Sequence, residues 1–153
     1  ISATMGKIMK KGRVVILTSG RQAGKKAVIV TNNDLGSKKT RTFAHALVVG
    51  VERPPRQVTK RMTSKKFDRK CRMKPFVKFV NYNHMMPTRF VLKDDLEFKN
   101  VISEEKFAPK DSAPYRKTIK KEIKKQLQAR YLAPEASQEK QSAVDFLFKK
   151  LRF

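Results

Sequence analysis

Acidic side chains are scarce in this sequence: 13 Asp and Glu stand against 37 Lys and Arg in 153 residues. Only Asp34, Glu52 and Asp68 fall within residues 1–93. Acid–base catalysis by paired carboxylates has little material there. Glu104 and Glu105 are adjacent on an expected helix, so they point in different directions and read as a helix-start feature. Cysteine occurs once, as Cys71. One thiol makes no internal disulfide, and structural zinc needs about four ligands. Lys70 and Arg72 flank Cys71 and could lower its pKa, but a bystander thiol is the expectation. The two histidines, His45 and His84, have no cysteine partners and no HxxE or HxxxH spacing. They read as polar rings rather than metal ligands, and no cofactor is expected. Tryptophan is absent, so ten Phe must supply most of the aromatic core.

Long apolar runs are missing too. The longest, Ala46 to Val51, is far short of the ~18 residues that a membrane span requires. No hydrophobic region follows Ile1-Ser2-Ala3-Thr4, so a secretory signal is not expected. The cytosol or nucleus is the default location.

What is present is positive charge, and it is lopsided. The chain carries a formal +24. Residues 1–93 hold 23 Lys and Arg against 3 acids, and residues 94–153 hold 14 against 10. A compact first half at +20 repels itself unless a polyanion neutralises it. Nucleic acid is the leading candidate. An anionic membrane ranks lower, because the cations are interleaved with strand patterns and not gathered on one amphipathic helix.

Val14 to Leu17 and Ala27 to Val30 read as strands, apolar throughout and so covered on both faces as in a small barrel. Residues 31–36 read as a turn and 42–51 as a third strand, stopped by Pro54-Pro55. Residues 56–74 carry Arg56, Lys60, Arg61, Lys65, Lys66, Arg69, Lys70, Arg72 and Lys74 against Asp68 alone. With scattered apolar residues, they read as a long basic arm or loop. Strand character returns at 75–80 and 89–92, around an irregular linker containing Tyr82 and His84. Phe43, Phe76, Phe79 and Phe90 are expected in the core, with Phe67, Tyr82 and Tyr115 freer to stack on bases.

Beyond Lys93 the charge is more balanced. Asp111 or Ser112 can cap a helix with Pro114 in its first turn. Tyr115, Ile119, Ile123, Leu127 and Tyr131 form one stripe at four-residue spacing. Lys120, Lys121 and Lys124 occupy other faces, and Pro134 ends the pattern. The Phe-rich, basic end from Phe146 to Phe153 is expected to dock on a surface.

The segment Gly12 to Val30, GRVVILTSGRQAGKKAVIV, is the most informative. Glycines between two strands permit a tight loop, and Lys25 and Lys26 after Gly24 suit a phosphate. This segment resembles a KOW motif, the strand–loop–strand unit of SH3-like barrels in ribosomal and transcription proteins, with Gly24 at the hallmark position. The resemblance extends to Met5-Gly6-Lys7, to HALVVG at 45–50, to NYNH at 81–84 with MPTR at 86–89, and to KKLRF at 149–153. On these segments the chain resembles the family of eukaryotic large-subunit ribosomal proteins numbered twenty-seven. Four residues precede Met5, where that family is expected to start.

The resemblance implies an α+β protein: an SH3-like KOW β-barrel with its basic arm over 1–93, and an α-helical extension over 94–153. It implies large-subunit rRNA and neighbouring ribosomal proteins as partners, no catalytic role, cytoplasmic ribosomes and nucleolar assembly. Expected RNA contacts are Arg13, Arg21, Gly24, Lys25, Lys26, the nine cations of 56–74, Tyr82, His84, Arg89, Lys120, Lys121, Lys124 and Arg152. A soluble KOW-type regulator in transcription is the alternative. An RNA-modifying enzyme would need a cofactor loop or acid–base constellation that the sequence does not offer.

Overall fold

The computed structural model describes residues 8–36, 41–92, 98–102, 113–133 and 138–151. The expectations for Glu104, Glu105, Asp111, Ser112, Pro134 and Arg152 lie outside them. Five strands form one antiparallel sheet: β1 (Arg13–Leu17), β2 (Lys26–Asn33), β3 (His45–Arg53), β4 (Lys74–Asn81) and β5 (Met85–Val91). Their order in the sheet is β4-β3-β2-β1-β5. The helices are α1 (Ser64–Cys71), the short α2 (Phe98–Val101), α3 (Ala113–Leu132) and α4 (Gln138–Phe148).

The sheet is not closed into the expected barrel: β4 and β5 occupy opposite edges, and no ladder joins them among the described residues. The sheet is nevertheless rolled. Edges of a flat five-stranded sheet would lie about 19 Å apart. Yet β4 passes into β5 through the single 3-10 turn Tyr82–His84. Even fully extended, the four steps from Asn81 to Met85 reach only about 14 Å. The turn is fixed at both ends, with Tyr82 N donating to Ala44 O at 3.2 Å and Thr18 N donating to His84 O at 3.1 Å. Register shifts beside Thr31 and Arg53 add local twist.

The roll explains the uniformly apolar strands. Val15, Leu17, Ala27, Ile29, Val48 and Phe76 are buried on the inner face. Val14, Val28, Val30, Leu47 and Val49 are buried on the outer face, under the helices. Ile119, Ile123 and Leu127 of α3 fill that layer, together with Val144, Leu147 and Phe148 of α4. Each such side chain contributes about 1.5–3 kcal/mol by leaving water. The stripe expected between Tyr115 and Tyr131 is thus observed, packed on the chain's own sheet.

Three further expectations change. The 56–74 arm contains an ordered helix, because Phe67 and Cys71 are four residues apart on one face and Cys71 is buried. The turn expected at 31–36 starts later, since Thr31, Asn32 and Asn33 pair with β3. Phe43 is not a core residue but 46% exposed, against the buried His45 ring. Cys71 is a free thiol whose pKa burial pushes up, opposite to the effect of its flanking cations.

Candidate nucleic-acid interface

The loop between β1 and β2 is closed by its own backbone. Gly24 N donates to Leu17 O at 2.6 Å, Ala23 N to Gly20 O at 3.0 Å, and Lys25 N to Gln22 O at 3.1 Å. Gly20 and Gly24 hold φ of +86° and +74°, which a side chain disfavours. The amides of residues 23–25 therefore serve the loop itself. Phosphate recognition falls to side chains: Arg21 is exposed at the tip, and Lys25 is half-buried beside it.

Other elements bring cations to this loop. On β4, the ammonium of Lys78 lies 3.4 Å from where a Cβ on Gly20 would stand. Lys74, also on β4, donates to Glu52 Oε1 at 2.9 Å. The Gln22 side chain and Lys120 of α3 lie near enough to Glu52 to stabilise its charge. Together, the Lys74 hydrogen bond first, they hold the Glu52 carboxyl below its usual pKa. Arg21, Lys74, Lys78 and Lys120, from one loop, one edge strand and one helix, thus form a basic edge, with Glu52 beside Lys74 and Lys120.

A second basic group is built on α1. Lys65, Lys66 and Arg69 are exposed, as are Arg56, Lys60, Arg61 and Arg72. The segment is strapped to the helix C-terminus: Arg56 N donates to Lys70 O at 2.9 Å, and Lys70 Nζ to Gln57 O at 3.4 Å. Arg69 and Lys70 in the last turn also complement the helix dipole.

The remaining expected contacts are dispersed. Arg13 Nη1 donates to Thr88 O at 3.2 Å. Arg89 is exposed, with its guanidinium 5.0 Å from the Phe90 ring centroid. His84 is exposed, Lys121 is exposed and Lys124 is half-buried.

Two expected contacts are turned to internal work. Lys26 is buried, and its ammonium donates to Phe146 O at 2.6 Å and Lys149 O at 2.7 Å while lying 3.9 Å over the Phe146 ring. Burial, then the Lys149 charge, pushes its pKa down. Tyr82 packs on the inner core, and its hydroxyl donates to Asp34 Oδ1 at 2.6 Å. Burial and Asp34 push the Tyr82 pKa up to about 12. Phe67 and Tyr115 are half-buried rather than free.

Sequence reasoning missed Lys78. The signal was present: in PFVKFV, Lys78 alternates with Phe76 and Val80 and so shares their face at an edge strand. Among the described residues, no helix is long and apolar enough to cross a membrane.

A profile of the Ribosomal L27e protein family matches residues 14–153. This chain belongs to that family. It is 47% identical over 149 residues to large ribosomal subunit protein eL27 of Tetrahymena thermophila, a match covering 97% of this chain and 100% of the relative. It is 43% identical over 150 residues to large ribosomal subunit protein eL27B of Saccharomyces cerevisiae, with 97% and 100% covered. With large ribosomal subunit protein eL27 of Pyrobotrys stellatus it shares 50% identity over 117 residues, 76% of this chain and 85% of the relative.

Proposed function

We propose that this L27e-family chain is a structural constituent of the large ribosomal subunit and works by neutralising rRNA phosphates. The carrying observation is the basic edge, where Arg21, Lys74, Lys78 and Lys120 converge from elements distant in sequence. Such an edge favours backbone contact over base reading. The α1 group gives a second set of phosphate contacts, so RNA is held along a surface rather than at one point. Residues 1–93 are the main grip. Helices α3 and α4 brace the sheet, and α3 presents Lys120, Lys121 and Lys124 to RNA or a neighbouring ribosomal protein.

The rolled sheet is read as an open relative of the SH3-like barrel, with Gly24 as its KOW glycine. Cytoplasmic ribosomes are the place of action, with assembly in the nucleolus. The role requires no chemistry on RNA, only pre-organised charge. Sedimentation of a cell lysate tests this reading. The chain should co-migrate with large subunits through a moderate-salt wash, and a pool remaining at the top of the gradient would favour a free transcription regulator instead.

A further inference from the structure

The basic edge contains one acidic group, and its placement is informative. Glu52 sits at the end of β3, and its side chain is 32% exposed. A carboxylate inside an RNA-facing cluster repels phosphate, so on electrostatics alone it weakens binding. Yet Glu52 is the point at which separate pieces of the edge meet. Lys74 reaches it from β4 at 2.9 Å. Gln22 of the β1–β2 loop and Lys120 of α3 lie close enough to stabilise its charge. Lys74 and Lys120 would otherwise repel each other, and each long side chain loses conformational freedom when held in one place.

We infer that Glu52 is a positioning residue for RNA: it gathers Lys74 and Lys120 into one phosphate-binding cluster. Lys74 is held by one of its three N–H groups and retains two for a phosphate. The ligand is an RNA backbone phosphate, so the inference rests on the reading given under Proposed function.

Its test turns on a sign. As a mere negative charge beside RNA, Glu52 should bind RNA better when neutralised. As a positioning residue, it should bind RNA worse. The measurement is the affinity of the full-length chain for an RNA hairpin of arbitrary sequence across a salt series. Glu52→Gln is expected to weaken binding severalfold and to reduce the slope of log K against log salt by about 1 in magnitude, as if a lysine contact were lost. Glu139→Gln, on the exposed first turn of α4, supplies the control for charge alone and should leave the slope unchanged.

In a Lys74→Met, Lys120→Met background Glu52 has nothing to position, so the further change Glu52→Gln should no longer weaken binding. A thermal melt of each variant separates unfolding from loss of contact. Tighter or unchanged binding by folded Glu52→Gln overturns the inference. So does equal weakening by that change with and without the two lysines. A flat salt dependence of the unaltered chain would instead overturn the phosphate-binding reading itself, so the two failures are distinct.

Discussion

The Lys26 ammonium and the Phe146 carbonyl oxygen lie 2.6 Å apart, although 120 positions separate them in the chain. This bond ties the first residue of β2 to the last turn of α4, where helix carbonyls lack intrahelical donors. Lys149 O accepts from the same ammonium at 2.7 Å. Replacing Lys26 with Met keeps the apolar stem over the Phe146 ring but removes both hydrogen bonds. The expected loss is about 1–3 kcal/mol of stability, read by denaturant unfolding, with faster amide exchange over residues 138–151. RNA binding at moderate salt should keep its salt slope in Lys26→Met and lose about 1 from it in Lys25→Met.

That inward turn shows where sequence reasoning stops. Lys25-Lys26 reads as a pair of equivalent cations, but the pleat separates them. Lys26 shares the face of Val28 and Val30, which the helices cover. Alternation along β2 carries that face, but only the fold shows that backbone carbonyls wait there. The α3 stripe was legible because Tyr115, Ile119, Ile123, Leu127 and Tyr131 repeat one spacing four times. Helix α1 was not, since Phe67 and Cys71 repeat it only once amid cations. The rolled open sheet was half legible: apolar runs implied two covered faces, but strand pairing at the edges is a long-range property. Glu52 was invisible as an organiser because its partners come from three other segments.

At Gly24 the backbone conformation, not crowding, limits substitution. No atom lies within 4 Å of the Cβ that a side chain would add, but φ is +74°. A residue with a Cβ costs about 1–2 kcal/mol in that region. Gly24→Val should lower thermal stability by that amount and incorporate less into particles. Gly24→Asn should be milder, because Asn adopts left-handed backbone more readily. Equal behaviour of the two variants would show that conformation is not the constraint.

Gly50 is limited by space instead. A Cβ there would run into the Phe76 ring and stand 2.7 Å from the Lys26 carbonyl oxygen. Gly50 pairs with Ala27 on one side and Phe76 on the other, so neither neighbour can withdraw without breaking a ladder. Gly50→Ala should cost about 1–3 kcal/mol as an overpacked core. Circular dichroism melts of the variant and of Gly50→Ala with Phe76→Leu provide the check: the second change should restore part of the loss.

Tyr82 makes stability fall at high pH. Its folded pKa is about 12, above the ordinary 10. A group whose folded pKa is raised holds its proton more tightly in the native state, so its contribution is complete below pH 10 and disappears as pH rises toward 12. Tyr82→Phe also removes the hydroxyl bond to Asp34, worth about 0.5–1.5 kcal/mol. The unaltered chain should therefore lose its advantage over Tyr82→Phe between pH 10 and 12. Denaturant midpoints of both proteins across that range measure the difference, and a constant gap would refute the role of the half-buried phenol.

The strongest test of the basic edge is its salt dependence. If about ten phosphates are contacted, log K for RNA should fall against log salt with a slope of about −7 to −9. Arg21 and Lys78 lie at the exposed loop tip and beside Gly20, so each should carry about 1 of that slope. Arg21→Met and Lys78→Met should each weaken RNA binding similarly for all sequences, as phosphate contacts do, without lowering thermal stability. Their double variant should lose about 2 from the slope if they meet different phosphates. A loss of only about 1 would mean that the two side chains clasp a single phosphate, which their shared position at the Gly20 loop would then explain.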